Sequence, residues 1–154
     1  MSSQGAAISR TDLARHTRRV LERARRSGPV IVTGHGDEEA VVLDIIDYRL
    51  LRAAAAYRLQ QEGAQPGTKA EMPRGLREEE VQAAIEAAGG NLQAGWNRVL
   101  AAYWDGDISL GRAAALLGLS RFELMERLHR LGLPMYMGPQ TVEDLEAELA
   151  ALEG

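Results

Sequence analysis

The chain has 154 residues, 45% of them apolar and 5% aromatic, a formal net charge of −4 and no cysteine. Such a length makes one large or two small domains. The missing cysteines exclude a disulfide framework or a thiolate metal site and fit a reducing, cytoplasmic setting, and no apolar stretch approaches the ~20 residues that a membrane span needs. The charge is unevenly spread: residues 1–28 hold seven arginines against two acids, a balance of +5, whereas the remainder holds 11 basic and 20 acidic residues, a balance of −9. A basic end on an acidic chain points to an anionic partner there, the plain alternative being a solvated helix face. Met1-Ser2-Ser3-Gln4-Gly5 contains no basic segment leading into an apolar run, so no signal peptide is expected.

In chain order, Ala6 to Ser9 can extend as a short edge strand. Ser9 then caps a helix, with Asp12 near its positive end. Leu13, Thr17, Val20, Leu21 and Ala24 form the expected inner stripe of this helix, most arginines fall on the other side, and Ser27-Gly28-Pro29 ends it. Val30-Ile31-Val32 and Ala40-Val41-Val42-Leu43 read as two strands of a hairpin around the turn chemistry of Gly34-His35-Gly36-Asp37. Asp44 caps the next helix, with Ile45, Ile46, Tyr48, Leu50, Leu51, Ala54 and Leu59 as its apolar positions, fading near Gly63. Residues 60–77 mix Gly, Pro, Gln and charge without periodicity and read as a linker.

The second half is helical. Val81, Ala84, Ile85 and Ala88 mark one helix, ended by Gly89-Gly90, and Asn91 caps the next, with the stripe Leu92, Trp96, Val99, Leu100 and Tyr103. Ser109 and Ser120 then open two short helices separated by Gly118. A short helix, a tight glycine turn and a second capped helix are the parts of a helix-turn-helix, which presents its second helix to a DNA major groove. Glu123, three residues after Ser120, completes the pattern of a capping box, and Phe122, Met125 and Leu128 predict a buried face. Gly132 and Pro134 stop the helix. After Met135-Tyr136-Met137, the run Thr141-Val142-Glu143-Asp144 starts a final acidic helix with Leu145, Leu149 and Leu152.

The N-terminal 50 residues resemble the Phd/YefM antitoxin family. The resemblance rests on Ile8-Ser9 before a capped helix, Val20-Leu21-Glu22, Pro29-Val30-Ile31-Val32-Thr33, Gly36, Ala40-Val41-Val42-Leu43 and Tyr48. It implies a dimerising segment whose paired N-terminal portions bind operator DNA, with the more C-terminal region wrapping a toxin. One departure is visible: the family often carries arginines where Ala14 and Gly34-His35 stand, and here the positive charge falls on Arg15, Arg18 and Arg19 instead. Residues 92–152 resemble a second family, of small predicted antitoxins usually found beside PIN-domain toxins. Its order Ile-Ser-Leu-Gly-[Lys/Arg]-Ala-Ala, Gly-Leu-Ser-Arg, Gly-[Ile/Leu]-Pro and an acidic leucine-rich tail is followed by residues 108–114, 118–121, 132–134 and 143–149. Parts of this stretch are shared with Fis-type helix-turn-helix domains.

The expected fold is therefore an α+β module, a small antiparallel sheet with helices over residues 1–59, then a linker (60–77) and an all-α, helix-turn-helix-like module (78–154). Its expected function is that of an antitoxin neutralising a PIN-type ribonuclease and repressing its own operon, with a stand-alone helix-turn-helix transcription regulator or a non-DNA-binding adaptor as the alternatives. Arg10, Arg15, Arg18 and Arg19 are candidate phosphate contacts, because backbone charge neutralisation supplies most of DNA affinity. Arg121 and Arg127 are candidates on the second helix of the pair, weighed against ion pairs with Glu123 or Glu126. Ala113, Ala114, Leu117, Leu119 and Leu124 read as core. Met135, Tyr136, Met137, Leu145 and Leu149 are candidate toxin contacts, since methionine and tyrosine suit adaptable interfaces and an acidic amphipathic tail suits a basic ribonuclease. His16, His35 and His129 are scattered, and no nucleophile–base constellation is visible, so no metal, no cofactor and no enzymatic activity are expected. The expected partners are a cognate toxin, operator DNA and a second copy of the chain, with no membrane.

Overall fold

The computed structural model describes residues 6–63 and 73–135. By its internal contacts the chain divides after Tyr48 into two compact units.

The first unit runs β1 (Ala7–Ser9), α1 (Arg10–Arg15), α2 (Thr17–Ser27), β2 (Val30–Gly34) and β3 (Asp37–Val42), and ends in the first turn of α3 (Ile45–Gly63). Ser9 finishes β1 and caps α1, its Oγ accepting from the Asp12 amide at 3.1 Å. The single helix expected from Ser9 to Ser27 is broken at His16 (φ −128°, ψ 41°) into α1 and α2. Beside the break the Thr17 hydroxyl donates to the Leu13 carbonyl at 2.8 Å. A threonine bonded to the preceding turn competes with the helix ladder and bends it.

The strands lie in the order β1-β2-β3. The α+β class stands, but the sheet is mixed rather than antiparallel: β1 pairs parallel with β2, Ala7 opposite Ile31 and Ser9 opposite Thr33. The two intervening helices bring the chain back to begin β2 beside the beginning of β1, which a hairpin connection cannot do. β2 and β3 form the expected antiparallel hairpin, closed by His35 (φ 52°) and Gly36 (φ 84°), the pair of positive φ angles that a type I′ turn demands. The register shifts between Val32, which faces Ala40, and Thr33, which faces Glu38. Glu39 is thus the extra residue of a β-bulge. The core is Val20 and Ala24 of α2 against Val30, with Ile8, Leu13 and Val42 around them. Burying each valine contributes roughly 1.5–3 kcal/mol.

The second unit begins at Arg49 within α3 and adds α4 (Glu78–Ala87), α5 (Leu92–Trp104), α6 (Leu110–Leu117) and α7 (Arg121–Arg130). Three caps fall where expected. Asn91 accepts from the Gln93 amide, Ser109 from the Arg112 amide and Ser120 from the Glu123 amide, all at 3.0 Å. Gly118 (φ 74°) ends α6 in the left-handed region that glycine tolerates, so three residues separate α6 from α7. The largest fully buried side chains here are Tyr103, Leu50, Leu100, Leu124, Leu128 and Val99. Residues 73–77, within the stretch expected as a linker, are held in place. The Arg74 amide donates to Asp107 Oδ1 at 3.2 Å, the Gly75 amide to the Asp107 carbonyl at 3.0 Å, and Arg112 to the Leu76 carbonyl at 3.1 Å.

The expected buried stripes need correction at several places. Leu21 (54% exposed), Ile45, Tyr48, Leu59, Leu92 and Phe122 (67% exposed) all face outward, whereas Gln93 and Arg127 are buried. Helical spacing identifies one face, but which neighbouring element covers it is a tertiary matter.

Candidate functional site

The basic charge of the first unit gathers on α1 and α2. Arg15, Arg18 and Arg19 are exposed and line one shallow groove together with Arg23 and Arg26 of α2. Arg15, at the end of α1, shares this groove with the arginines of α2 across the break at His16. The acid on this face, Glu22, is bound by Arg25 at 3.0 Å and Arg26 at 2.8 Å. Three of the four N-terminal arginines singled out in the sequence are therefore together. The fourth, Arg10, is not part of the groove lining and makes an ion pair, its Nε 3.3 Å from Glu39 Oε2.

An apolar patch lies next to this basic face. Leu21 and Ile45 line a second groove with Leu43, and Val41 and Tyr48 of the same unit are 49% and 41% exposed.

On α6 and α7 the candidates separate. Arg121 is exposed, and its Cδ lies over Gly111 of α6. Arg127 is 5% exposed, and its Nη2 and Nε reach Glu123 Oε1 at 3.2 and 3.3 Å. In this geometry Arg127 makes the ion pair with Glu123, four residues before it on the same helix, and little of it is exposed. The Glu123 carboxylate is thereby drawn to Arg127, and the half of the capping box that is seen is the Ser120 half. Ala113, Ala114 and Leu124 are buried, and Leu117 and Leu119 half-buried. Next to Arg121 stands Phe122, the chain's single phenylalanine, on the outside.

Met135 is half-buried. Tyr136, Met137, Leu145 and Leu149 lie outside the described residues. Among the described residues no three His, Cys, Asp or Glu side chains gather as a metal site, and no helix is long and apolar enough to cross a membrane.

Sequence reasoning missed three features. Glu39 was not singled out, although Gly34 at the end of β2 leaves it room. Gln93 carries no sequence signal for its role: its Nε2 donates to the Arg49 carbonyl and to Asn97 Oδ1, both at 2.9 Å, and its Oε1 accepts from Arg49 Nη1 at 3.3 Å. Trp104 was likewise missed, and no local signal marks it.

Comparison with known proteins divides the chain in the same order as its two halves. Residues 6–75 match the family described as antitoxin Phd_YefM, type II toxin-antitoxin system, which supports an antitoxin role. Residues 71–154 match the family described as uncharacterised protein family UPF0175. Neither a curated protein nor a solved structure matches the chain.

Proposed function

We propose, from the premise that this chain belongs to the UPF0175 family and carries a Phd/YefM antitoxin segment ahead of it, that it is the antitoxin of a type II toxin–antitoxin pair. The succession of the two matches in one polypeptide carries this reading. The toxin is a PIN-type ribonuclease, held by the C-terminal region from Met135 onward, with Tyr136, Met137, Leu145 and Leu149 as its contacts. That region is acidic, with Glu143, Asp144, Glu146, Glu148 and Glu153 and no base after Pro139. Such charge is complementary to a nuclease that binds RNA, and complementarity of this kind speeds encounter and selects the partner.

The first unit pairs with a second copy through its apolar groove (Leu21, Leu43 and Ile45) and presents the arginines of α1 and α2 to operator phosphates. This surface is better suited to DNA than α7, where Glu126 is exposed and where Arg127 is buried against Glu123. Arginines clustered on one face are the electrostatic footprint of nucleic-acid binding. The protein acts in the cytoplasm by binding, not by catalysis.

The test is co-expression with the adjacent open reading frame, followed by affinity purification and growth of cells carrying the neighbour alone. Toxicity of the neighbour, relieved by this chain and accompanied by a stable complex, is expected. A harmless neighbour that does not bind would overturn the antitoxin reading and leave a stand-alone regulator.

A further inference from the structure

Three features of the first unit converge on one ion pair. Glu39 is the extra residue of the β3 bulge, and bulges re-aim a side chain out of the regular alternation. Arg10 stands at the end of β1, and β2 lies between β1 and β3. To reach Arg10, Glu39 must cross β2, a span of about two inter-strand spacings of 4.8 Å. Gly34 of β2 opens the way: a Cβ built there would run into the Glu39 carboxylate. The bulge, the missing side chain at residue 34 and the contact of Arg10 Nε with Glu39 Oε2 at 3.3 Å thus form one device.

We propose that Glu39 is a built-in counter-anion for Arg10, occupying the guanidinium that DNA phosphate would otherwise take and so holding down the affinity of the N-terminal unit for DNA. This inference rests on the reading of that unit as the DNA-binding part. Both side chains are well exposed, 58% for Arg10 and 39% for Glu39, so the pair is open to exchange with a phosphate oxygen. The other arginines of the basic face lie in the groove on α1 and α2, apart from this pair. Arg10 is thus a contact that an acid of the chain itself can cover or release, as Glu22 covers Arg25 and Arg26 on α2.

The experiment is a titration of fluorescent duplex DNA, taken from upstream of the gene, with the full-length protein and its variants over a range of salt. E39Q is expected to bind about two- to fivefold more tightly at 0.1 M salt, the scale of an exposed ion pair. The plot of log K against log salt should steepen by about one, one further phosphate being neutralised. G34A, which dislodges the carboxylate but keeps its charge, should show part of the same gain, and R10A/E39Q should show none. E38Q removes an equal charge from the neighbouring residue and should leave the slope unchanged. Thermal melts establish that each variant is folded.

A gain that persists in R10A/E39Q, or E39Q and G34A binding no more tightly than wild type, would overturn the inference while leaving DNA binding by the unit intact. Absence of binding by the wild type and by every variant would remove the DNA reading and this inference together.

Discussion

The indole Nε1 of Trp104 donates to the carbonyl oxygen of Pro134 at 2.9 Å, joining the end of α5 to the chain thirty residues later, just after α7. Trp104 is 3% exposed and tilted against Tyr57 of α3, with ring centroids 5.3 Å apart. The Tyr57 hydroxyl in turn donates to Asp105 Oδ1 at 2.8 Å. This side chain ties Pro134 to the end of α5. Trp104→Phe keeps most of the ring and removes the donor, so a loss of about 1 kcal/mol is expected. Trp104→Ala should cost about 3–5 kcal/mol, since the ring leaves a cavity. Urea unfolding followed by circular dichroism measures both, and a Phe variant as unstable as the Ala variant would show that the hydrogen bond is not the minor term.

Gln93 offers a second check. It is 7% exposed and satisfies Arg49 with both its carbonyl and its amide, so Gln93→Leu fits the space but strips partners from the Arg49 carbonyl and guanidinium. Arg49 is half-buried, so losing these hydrogen bonds should cost about 1 kcal/mol. The midpoint of denaturant unfolding should fall accordingly, and an unchanged midpoint would mean that water replaces the glutamine without loss.

Two apolar residues of α7 should respond in opposite ways. Leu128 is fully buried, and Leu128→Ala should destabilise the chain by about 2–5 kcal/mol. Phe122, six residues earlier, is 67% exposed, and Phe122→Ser should stay within about 0.5 kcal/mol. If Phe122→Ser weakens a complex with toxin or DNA while stability holds, the exposed ring belongs to an interface.

The two proposed activities should separate by mutation. Arg15→Ala, Arg18→Ala and Arg19→Ala combined should lower DNA affinity at least tenfold at 0.1 M salt and flatten its salt dependence by about three, with toxin neutralisation unchanged. Truncation after Met135 should abolish neutralisation and leave DNA binding in place. Gel-shift titration and growth rescue read the two outcomes, and a triple variant that still binds DNA with the wild-type salt slope would place the DNA contact elsewhere.

The candidate site was legible in part. The clustering of Arg15, Arg18 and Arg19 follows from their spacing on helical segments, which needs no tertiary information. The pairing of Arg127 with Glu123 is also local, four residues apart on one helix, and the sequence allowed it without deciding it. The Arg10–Glu39 pair was not legible, because it depends on a parallel partner for β2, a register slip in the hairpin and a vacant position at residue 34.

The sequence by itself determined the order of the described elements apart from the break at His16, the caps at Ser9, Asn91, Ser109 and Ser120, and the turns at Gly36 and Gly118. Each is an interaction over two or three residues, so the chain needs nothing distant to make it. Only the tertiary structure decided that Gln93 and Arg127 are buried while Leu21 and Phe122 are exposed, that β1 runs parallel to β2, and that Glu39 crosses the sheet to Arg10. Burial depends on which element covers a face, and strand pairing depends on where an intervening helix returns the chain; neither is encoded in the spacing of neighbouring residues.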